Sequence, residues 1–177
     1  MRLRRFIPLV AAIGAAASML LATPALAAGS HTAPATRSAK VNAELKAEIK
    51  AQLRYNPSGK VINARQVSYD HGHVVVTVVI PGDNTPDFTC PDGFVCLFER
   101  PNLKGNNAAI NEPRDRDIRI AGYLPFVQSL HNLRSTGSIL SNGVNRSVCY
   151  TSGQRANAIS DPVMSYPYLF LQANDNC

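Results

Sequence analysis

The chain has 177 residues, of which 45% are hydrophobic and 17% charged, so it can bury a core and is neither a largely disordered protein nor a large multidomain enzyme. The length fits one domain, or a small module beside a compact one. The formal charge of +6 falls to +3 without the three arginines of the N-terminal leader, which leaves 15 basic against 12 acidic side chains, too small an excess to indicate nucleic-acid binding.

Residues 1–27 have the three parts of a secretory signal peptide. Three arginines precede an apolar stretch over residues 6–21, and the small-residue pattern Ala25-Leu26-Ala27 follows Pro24. A membrane anchor is the alternative, since residues 6–22 are almost long enough to span a bilayer, but the proline and the Ala-x-Ala site favour cleavage after Ala27. We therefore expect a secreted, extracellular protein with no membrane segment after cleavage.

Four cysteines remain in the mature chain: Cys90, Cys96, Cys149 and Cys177. An even number of cysteines in an exported protein usually means disulfide bonds, so we expect two of them. Because no pair has the Cys-x-x-Cys spacing, the cysteines do not indicate a zinc ribbon.

A disordered arm and then an amphipathic helix are predicted at the start of the mature chain. Residues 28–40 are rich in small and polar side chains and have no apolar periodicity. Three apolar residues then recur at every fourth position: Leu45, Ile49 and Leu53. This spacing places them on one face of a helix, with Asn42 as the expected N-cap. The turn residues at 56–59 end the helix near Tyr55.

A β-hairpin is predicted next. Two runs with strand character, residues 60–69 and 73–80, flank Asp70-His71-Gly72, where glycine gives the backbone freedom of a tight turn. The second run is apolar on both faces apart from Thr77, so each face needs a cover, and the apolar face of the helix can supply one. Helix and hairpin together are interpreted as a small α+β module over residues 41–82.

A second domain is predicted over residues 90–177, after a linker at 83–89. Residues 81–87 have the composition of a loop, with two prolines, a glycine, an asparagine and two aspartates. Beyond Cys90, six short apolar runs are expected to form strands, at residues 94–98, 108–110, 118–123, 127–133, 148–150 and 168–171. Short strands separated by frequent turns, with no helical stripe, are typical of an all-β sandwich or barrel.

Three features at the start and middle of this domain form a recognisable pattern. The turn Cys90-Pro91-Asp92-Gly93 is followed by an aromatic residue and a second cysteine, and Phe98 stands seven residues before Gly105. Residues 127–132 have the pattern hydrophobic-x-Ser-hydrophobic-x-Asn, and residues 148–150 look like the strand that opens a second repeat. In these features the domain resembles the secreted actinobacterial metalloproteinase-inhibitor family.

This resemblance implies both a fold and a function. The fold is a mainly β, βγ-crystallin-like Greek-key sandwich braced by disulfides, over residues 90–177. The upstream helix and hairpin also look like the leader module of some family members. The implied function is inhibition of secreted peptidases, with thermolysin-like zinc enzymes as the expected targets. We expect the inhibitor to be a monomer.

The first repeat is also supported by the physics of its own residues. A bond between Cys90 and Cys96 would close a short loop, in which Pro91 and Gly93 suit the second and fourth positions of a type I turn. Gly105 would permit a folded hairpin that Phe98 covers.

The chain departs from crystallin repeats in ways that matter for fold and calcium. Leu103 stands where a second aromatic is usual, and Asn157 where the second repeat would have its glycine, so the second repeat is degenerate. Calcium-binding repeats place acidic or amide side chains just before the serine, but residues 124–128 contain no carboxylate. Another acidic group alternates with arginines, which is typical of a solvated loop: Glu112, Asp115 and Asp117.

The histidines and serines give no metal or catalytic motif. His71 and His73 flank a glycine, but two imidazoles are fewer than the three or four ligands of a zinc site, so a solvated turn is favoured. Ser152 precedes a glycine without the Gly-x-Ser-x-Gly elbow, and nothing in the sequence makes His131 its base. We therefore expect a protein that is not an enzyme and that needs no metal or cofactor.

An inhibitor of this kind would bind through a rigid loop that enters a protease cleft with little entropy left to lose. Two loops are candidates for that role, residues 135–145 and residues 154–166, the second tied down if Cys149 pairs with Cys177. Neither carries a signature that names a target or a reactive bond. The alternative function is a non-inhibitory extracellular binding or structural protein that uses the same loops, and residues 41–82 could also serve as a pro-segment.

Overall fold

The structure is a computed structural model that describes residues 34–80, 88–112, 117–144, 146–159 and 168–173. The signal peptide predicted over 1–27 and the first residues of the predicted arm lie outside this part of the chain. In the described part, no helix is both long and apolar enough to cross a bilayer.

One α-helix and eleven strands form within the described residues. They are α1 (Pro34–Tyr55), β1 (Lys60–Asn63), β2 (Gln66–Tyr69), β3 (Val74–Thr77), β4 (Val95–Arg100), β5 (Lys104–Ile110), β6 (Asp117–Arg119), β7 (Ser129–Asn132), β8 (Ser138–Ser141), β9 (Ser147–Tyr150), β10 (Arg155–Ala156) and β11 (Tyr168–Leu171). Single 3₁₀ turns occupy Asp70–Gly72 and Ile120–Gly122. The prediction of a mainly β protein is confirmed.

The strands form two antiparallel sheets. The larger sheet has the order β1-β2-β3-β5-β4-β7-β10, and the smaller has the order β6-β11-β8-β9. The chain first enters the smaller sheet at β6 and returns to the larger sheet at β7. It enters the smaller sheet again for β8 and β9, returns at β10, and ends in the smaller sheet at β11. These crossings connect the two sheets covalently at several points, including both ends of the β8–β9 hairpin.

The larger of two apolar clusters forms the main core. On β3 and β4 the alternate residues Val74, Val76, Val95 and Leu97 are buried, as expected for strands that turn one face inward. They pack in one cluster with Leu140 and Leu169 of the smaller sheet and with Leu45 and Ile49 of α1. The predicted cover of the hairpin by the helix is therefore confirmed, because the apolar stripe of α1 joins the core.

A smaller cluster covers the opposite, outer face of the larger sheet. Cys96, Phe98 and Ala109 project to that side and pack with Cys90, while Phe88 and Leu103 are partly buried against them. The rings of Phe88 and Phe98 meet edge to face at 6.0 Å. The segment before β4 therefore lies over the middle of the sheet.

The helix begins eight residues before the predicted cap. It starts at Pro34, so residues 34–40 of the predicted disordered arm are helical, and Asn42 lies inside the helix. Proline suits a first helical position because its missing N–H is not needed there. The predicted end at Tyr55 is confirmed, and the Asn56 side chain caps the next turn by accepting the Ser58 N–H at 3.1 Å.

The predicted first strand at 60–69 is two strands. A turn at residues 64–65 separates β1 from β2, and Asn63 supports it by accepting the Arg65 N–H at 2.9 Å. The turn between β2 and β3 lies where it was predicted. Its three residues all have positive φ: 49° at Asp70, 58° at His71 and 100° at Gly72.

The larger sheet runs across the boundary predicted between the two modules. β3 pairs with β5, from Val74 opposite Ile110 to Thr77 opposite Asn107. All described residues belong to one compact unit. Residues 83–87 of the predicted linker lie outside the described part of the chain.

The turn before β4 differs from the predicted type I turn. The Phe94 N–H donates to the Pro91 carbonyl at 3.2 Å, so the turn starts at Pro91 and places Gly93 third. The φ of Gly93 is +82°, which is the third position of a type II turn and requires glycine or asparagine. The predicted disulfide next to this turn is present, with a distance of 2.00 Å between the sulfur atoms of Cys90 and Cys96.

Candidate functional site

The turn between β8 and β9 presents one apolar side chain on a braced backbone. Val144 is 87% exposed, the most exposed large hydrophobic residue in the described chain. The Asn142 side chain accepts the N–H groups of Val144 and Arg146, both at 3.0 Å, and the Ser141 hydroxyl accepts the N–H of Gly143. Side chains that satisfy backbone N–H groups in this way stiffen a turn.

The same turn is seated against the neighbouring strand. Gly143 has φ +73°, and a Cβ atom there would come within 2.9 Å of the Tyr168 ring on β11. Glycine is thus required for two reasons, the left-handed backbone and the close approach of the ring. The turn rests on Tyr168, while Val144 points away from any cover.

Asn132 fastens the base of the β8–β9 hairpin. Its side-chain N–H groups donate to the carbonyls of Thr136, Tyr150 and Thr151, at 2.9, 2.9 and 3.1 Å. These carbonyls lie just before β8 and at the end of β9, so one buried amide holds both ends of the hairpin. Its side-chain oxygen accepts the backbone N–H of Arg134 at 3.2 Å, so both the N–H groups and the oxygen of the amide are hydrogen-bonded.

Arg134 supports the same base from the side. It is buried, and its guanidinium donates to the carbonyl of Glu112 at 2.8 Å and to the hydroxyl of Thr136. A longer bond of 3.5 Å reaches the carbonyl of Gln172, beyond β11. Arg134 therefore joins three separate segments around the start of β8.

The two loops predicted to present a binding surface are shorter than expected. The first, 135–145, contains β8, which divides it into residues 135–137 before the strand and, in the described part of the chain, the turn at residues 142–144 after it. The second, 154–166, begins with β10, which pairs with β7 through Arg155 opposite His131. Its residues 160–166 lie outside the described residues. β8 and β10 were missed because both are short and contain serine or charged residues.

The second predicted disulfide is only partly described. Cys149 on β9 is disulfide-bonded, and no described cysteine is free. Cys177, its predicted partner, lies outside the described residues, so the pairing of these two stays a prediction.

The other singled-out residues do not come together in one site. His71 is exposed in its turn, and His73 Nδ1 lies 2.9 Å from the Asn111 carbonyl. Burial and the nearby Arg155 lower the pKa of His131. Glu112 is buried, Asp115 and the Asp117 side chain are not described, and no three potential metal ligands cluster among the residues that are.

Glu99, which the sequence does not mark, is the one carboxyl of the described chain with a strongly shifted pKa. Burial near the end of β4 raises its pKa to about 7, and the charge of Glu48 on α1 adds to the rise. Hydrogen bonds from Asn106 and the charge of Arg100 oppose it. Glu99 in turn raises the pKa of Tyr55, which burial has already raised.

Replacing Glu99 with Gln is expected to stabilise the protein at high pH and to leave it unchanged at low pH. The pKa of Glu99 is about 7 in the folded protein and about 4.5 in the unfolded chain, so the fold favours the protonated carboxyl. The stability that this proton contributes is fully present below about pH 4.5 and is lost as the pH rises through about 7. Because the group is partly solvated, we expect a gain of only about 1–2 kcal/mol at about pH 8.5.

Urea unfolding at about pH 4.5 and at about pH 8.5 would measure this difference. Glu44→Gln is the matched control, since Glu44 makes only an exposed pair with Lys40 at 3.7 Å and should change stability by less than about 0.5 kcal/mol at either pH. An equal effect of Glu99→Gln at both pH values would contradict the assigned shift.

Comparisons with known proteins give no family for this chain. No protein-family model matches it, and no curated protein or solved structure does either.

Proposed function

We propose that this chain is a secreted peptidase inhibitor of metalloproteinases, which binds the active-site cleft with the turn between β8 and β9 and has no catalytic activity of its own. The observation that carries the proposal is Val144, 87% exposed on a turn whose backbone is braced by Asn142. The specificity pocket of a protease cleft can take up an exposed apolar side chain, and a braced turn loses little entropy on binding. The leader-like residues 1–27 support action outside the cell.

A βγ-crystallin-like Greek key is the fold that we propose for residues 90–177. Three strands of the larger sheet lie in the order β5-β4-β7, and β6, which comes between β5 and β7 in the chain, lies in the smaller sheet; this arrangement of four consecutive strands supports it. So does Ser129, which lies in the segment that resembles the family and binds the turn after Phe98. Its hydroxyl accepts the Leu103 N–H at 2.9 Å and donates to the Arg100 carbonyl at 2.6 Å.

Replacing Val144 with Ala should weaken inhibition at least about tenfold, because the exposed side chain is the part that enters the cleft. The measurement is the inhibition constant of the oxidised protein against a thermolysin-like zinc endopeptidase, read on a small peptide substrate. Serine and cysteine peptidases in the same panel test the proposed class.

Val61→Ala is the control for this experiment. Val61 is 45% exposed on β1, a strand at the far edge of the larger sheet, and its truncation should leave the inhibition constant unchanged. Equal inhibition by wild type and Val144→Ala would remove this turn from the mechanism. No inhibition of any peptidase by folded, uncleaved protein would overturn the proposed function and favour the non-inhibitory binding protein.

A further inference from the structure

A row of polar side chains crosses the outer face of the larger sheet. Gln66 on β2 lies opposite Thr77 on β3, and Thr77 lies opposite Asn107 on β5. The Gln66 amide donates to the Thr77 hydroxyl at 3.2 Å, and the Asn63 amide donates to Gln66 at 2.6 Å. Thr77 accepts a hydrogen bond in this row, and its hydroxyl also has one proton that it can donate to a ligand.

The last member of the row has an acceptor that no described residue satisfies. Asn107 is 1% exposed, yet its Oδ1 atom has no hydrogen-bond partner among the described residues. A buried carbonyl oxygen without a donor costs stability, so a residue of this kind in the middle of a strand calls for an explanation. A ligand that donates a hydrogen bond to Asn107 would supply it.

Asn107 lines a cavity that has room for one small ring. The cavity measures about 260 Å³, below the roughly 300–1,000 Å³ of pockets that hold drug-sized ligands. Phe88 and Leu103 form an apolar wall on one side of it, next to Gln66 and Thr77. An aromatic wall beside amide and hydroxyl groups suits a molecule with one apolar face and several hydroxyl groups around its edge.

The charge of the cavity favours an anion. Arg65 and Lys104 are among its lining residues, and no acidic residue of the described chain lines it. A carboxylate on the ligand would therefore find two cationic side chains, while its hydroxyl groups meet Thr77 and Asn107.

We propose that this cavity binds a sugar acid, that is, one pyranose ring carrying a carboxylate. A ring hydroxyl donates to Asn107 Oδ1 and accepts from Thr77, the ring face packs on Phe88, and the carboxylate faces Lys104 and Arg65. The site lies on β2, β3 and β5 and uses no residue of the β8–β9 turn, so it goes beyond peptidase inhibition and can be tested apart from it.

The test is a titration of the isotopically labelled, oxidised protein followed by NMR chemical shifts. Methyl β-D-glucuronide is the probe, methyl β-D-glucoside is the same ring without the carboxylate, and free D-glucuronate separates a free sugar acid from one linked within a glycan. We expect saturable shifts of the Thr77, Lys104 and Asn107 amides with the glucuronide at a Kd of about 1 mM, and binding of the glucoside that is at least about fivefold weaker.

Three variants show whether the site is the one proposed. Asn107→Leu should stay folded, because it removes an unsatisfied polar atom from a buried position of similar size, and should lose binding. Lys104→Met should bind the glucuronide more weakly than wild type does while its affinity for the glucoside is unchanged, and Lys60→Met, an equal loss of charge on β1, should bind as wild type does.

Three results would overturn the proposal. The first is the absence of saturable shifts with about 20 mM glucuronide, and the second is unchanged binding by folded Asn107→Leu. The third is equal affinity for glucuronide and glucoside, which would remove the carboxylate from the ligand and with it the proposed class. Inhibition of peptidases is measured separately with Val144→Ala, so a failure of one proposal leaves the other standing.

Discussion

Replacing Asn132 with Asp is expected to lower the free energy of unfolding by about 3 kcal/mol or more, although the two side chains have the same shape. Asn132 is fully buried and donates to the carbonyls of Thr136, Tyr150 and Thr151. An ionised carboxylate donates nothing, so these oxygens would face another negative oxygen at the centre of the fold. The expected loss is large because one substitution affects three carbonyls at once.

The pH dependence of this variant separates lost donors from a general packing defect. The surrounding carbonyls favour the protonated form of an aspartic acid, which can donate one hydrogen bond, so the deficit should be smaller at about pH 4 than at about pH 8. Denaturant unfolding of wild type and variant at both pH values measures it. A deficit that does not change with pH would contradict the assigned role of the amide.

Asn157→Asp is the matched control for the same chemical change. Asn157 is exposed beyond β10, where its oxygen accepts a hydrogen bond from Arg155 at 2.6 Å, a bond that an aspartate can also make. We expect it to change stability by less than about 0.5 kcal/mol. If the proposed function holds, only the Asn132 variant should also weaken inhibition, because the hairpin that carries Val144 would lose its base.

The sequence predicts the strands that contain strong apolar runs. It misses the strands that form because of their pairing partners and not because of their own residues. β4, β9 and β11 lie close to their predicted positions because their apolar residues are contiguous. β8 places Ile139 and Leu140 between two serines, and β10 has two residues, so neither stands out locally. Both are strands because their neighbours offer free backbone groups, a property of the whole fold.

The candidate sites were less predictable than the fold, because each depends on register. Thr77 and Gln66 precede Asn107 by thirty or more residues in the chain, and nothing near Asn107 in the sequence indicates that they share its part of the sheet. The effect of Glu48 on the pKa of Glu99 likewise depends on the approach of α1 to β4. Only the turn of Val144 had a local signal, in the pattern Ser141-Asn142-Gly143, where a small side chain that caps and a glycine are adjacent.

The shared sheet also bears on the suggestion that residues 41–82 act as a pro-segment. β3 lies between β2 and β5, so removal of the helix and hairpin would expose an edge of the larger sheet and part of its core. The suggestion that residues 41–82 act as a pro-segment stays a prediction, and it carries this cost.

Ser129 and Ser138 are a matched pair of buried serines whose replacement by alanine should have different effects on stability, and the effect at Ser129 is expected to be large. Both serines are fully buried at the starts of strands, β7 and β8. The Ser129 hydroxyl makes two hydrogen bonds to the turn after β4, while the hydroxyl of Ser138 has no partner among the described residues. We expect Ser129→Ala to cost about 2 kcal/mol and Ser138→Ala to be neutral or stabilising.

The turn that the Ser129 hydroxyl binds explains why Ser129→Ala should lower the free energy of unfolding by more than an ordinary hydrogen bond contributes. Asn102 and Leu103 have φ values of 61° and 59°, a left-handed conformation that costs energy for residues other than glycine and persists only where neighbours enforce it. Without the hydroxyl, the Leu103 N–H and the Arg100 carbonyl lose their partners and the turn can relax. Amide hydrogen exchange should therefore speed up at Leu103 in Ser129→Ala and not in Ser138→Ala, and equal exchange in both variants would show that the turn is held by other contacts.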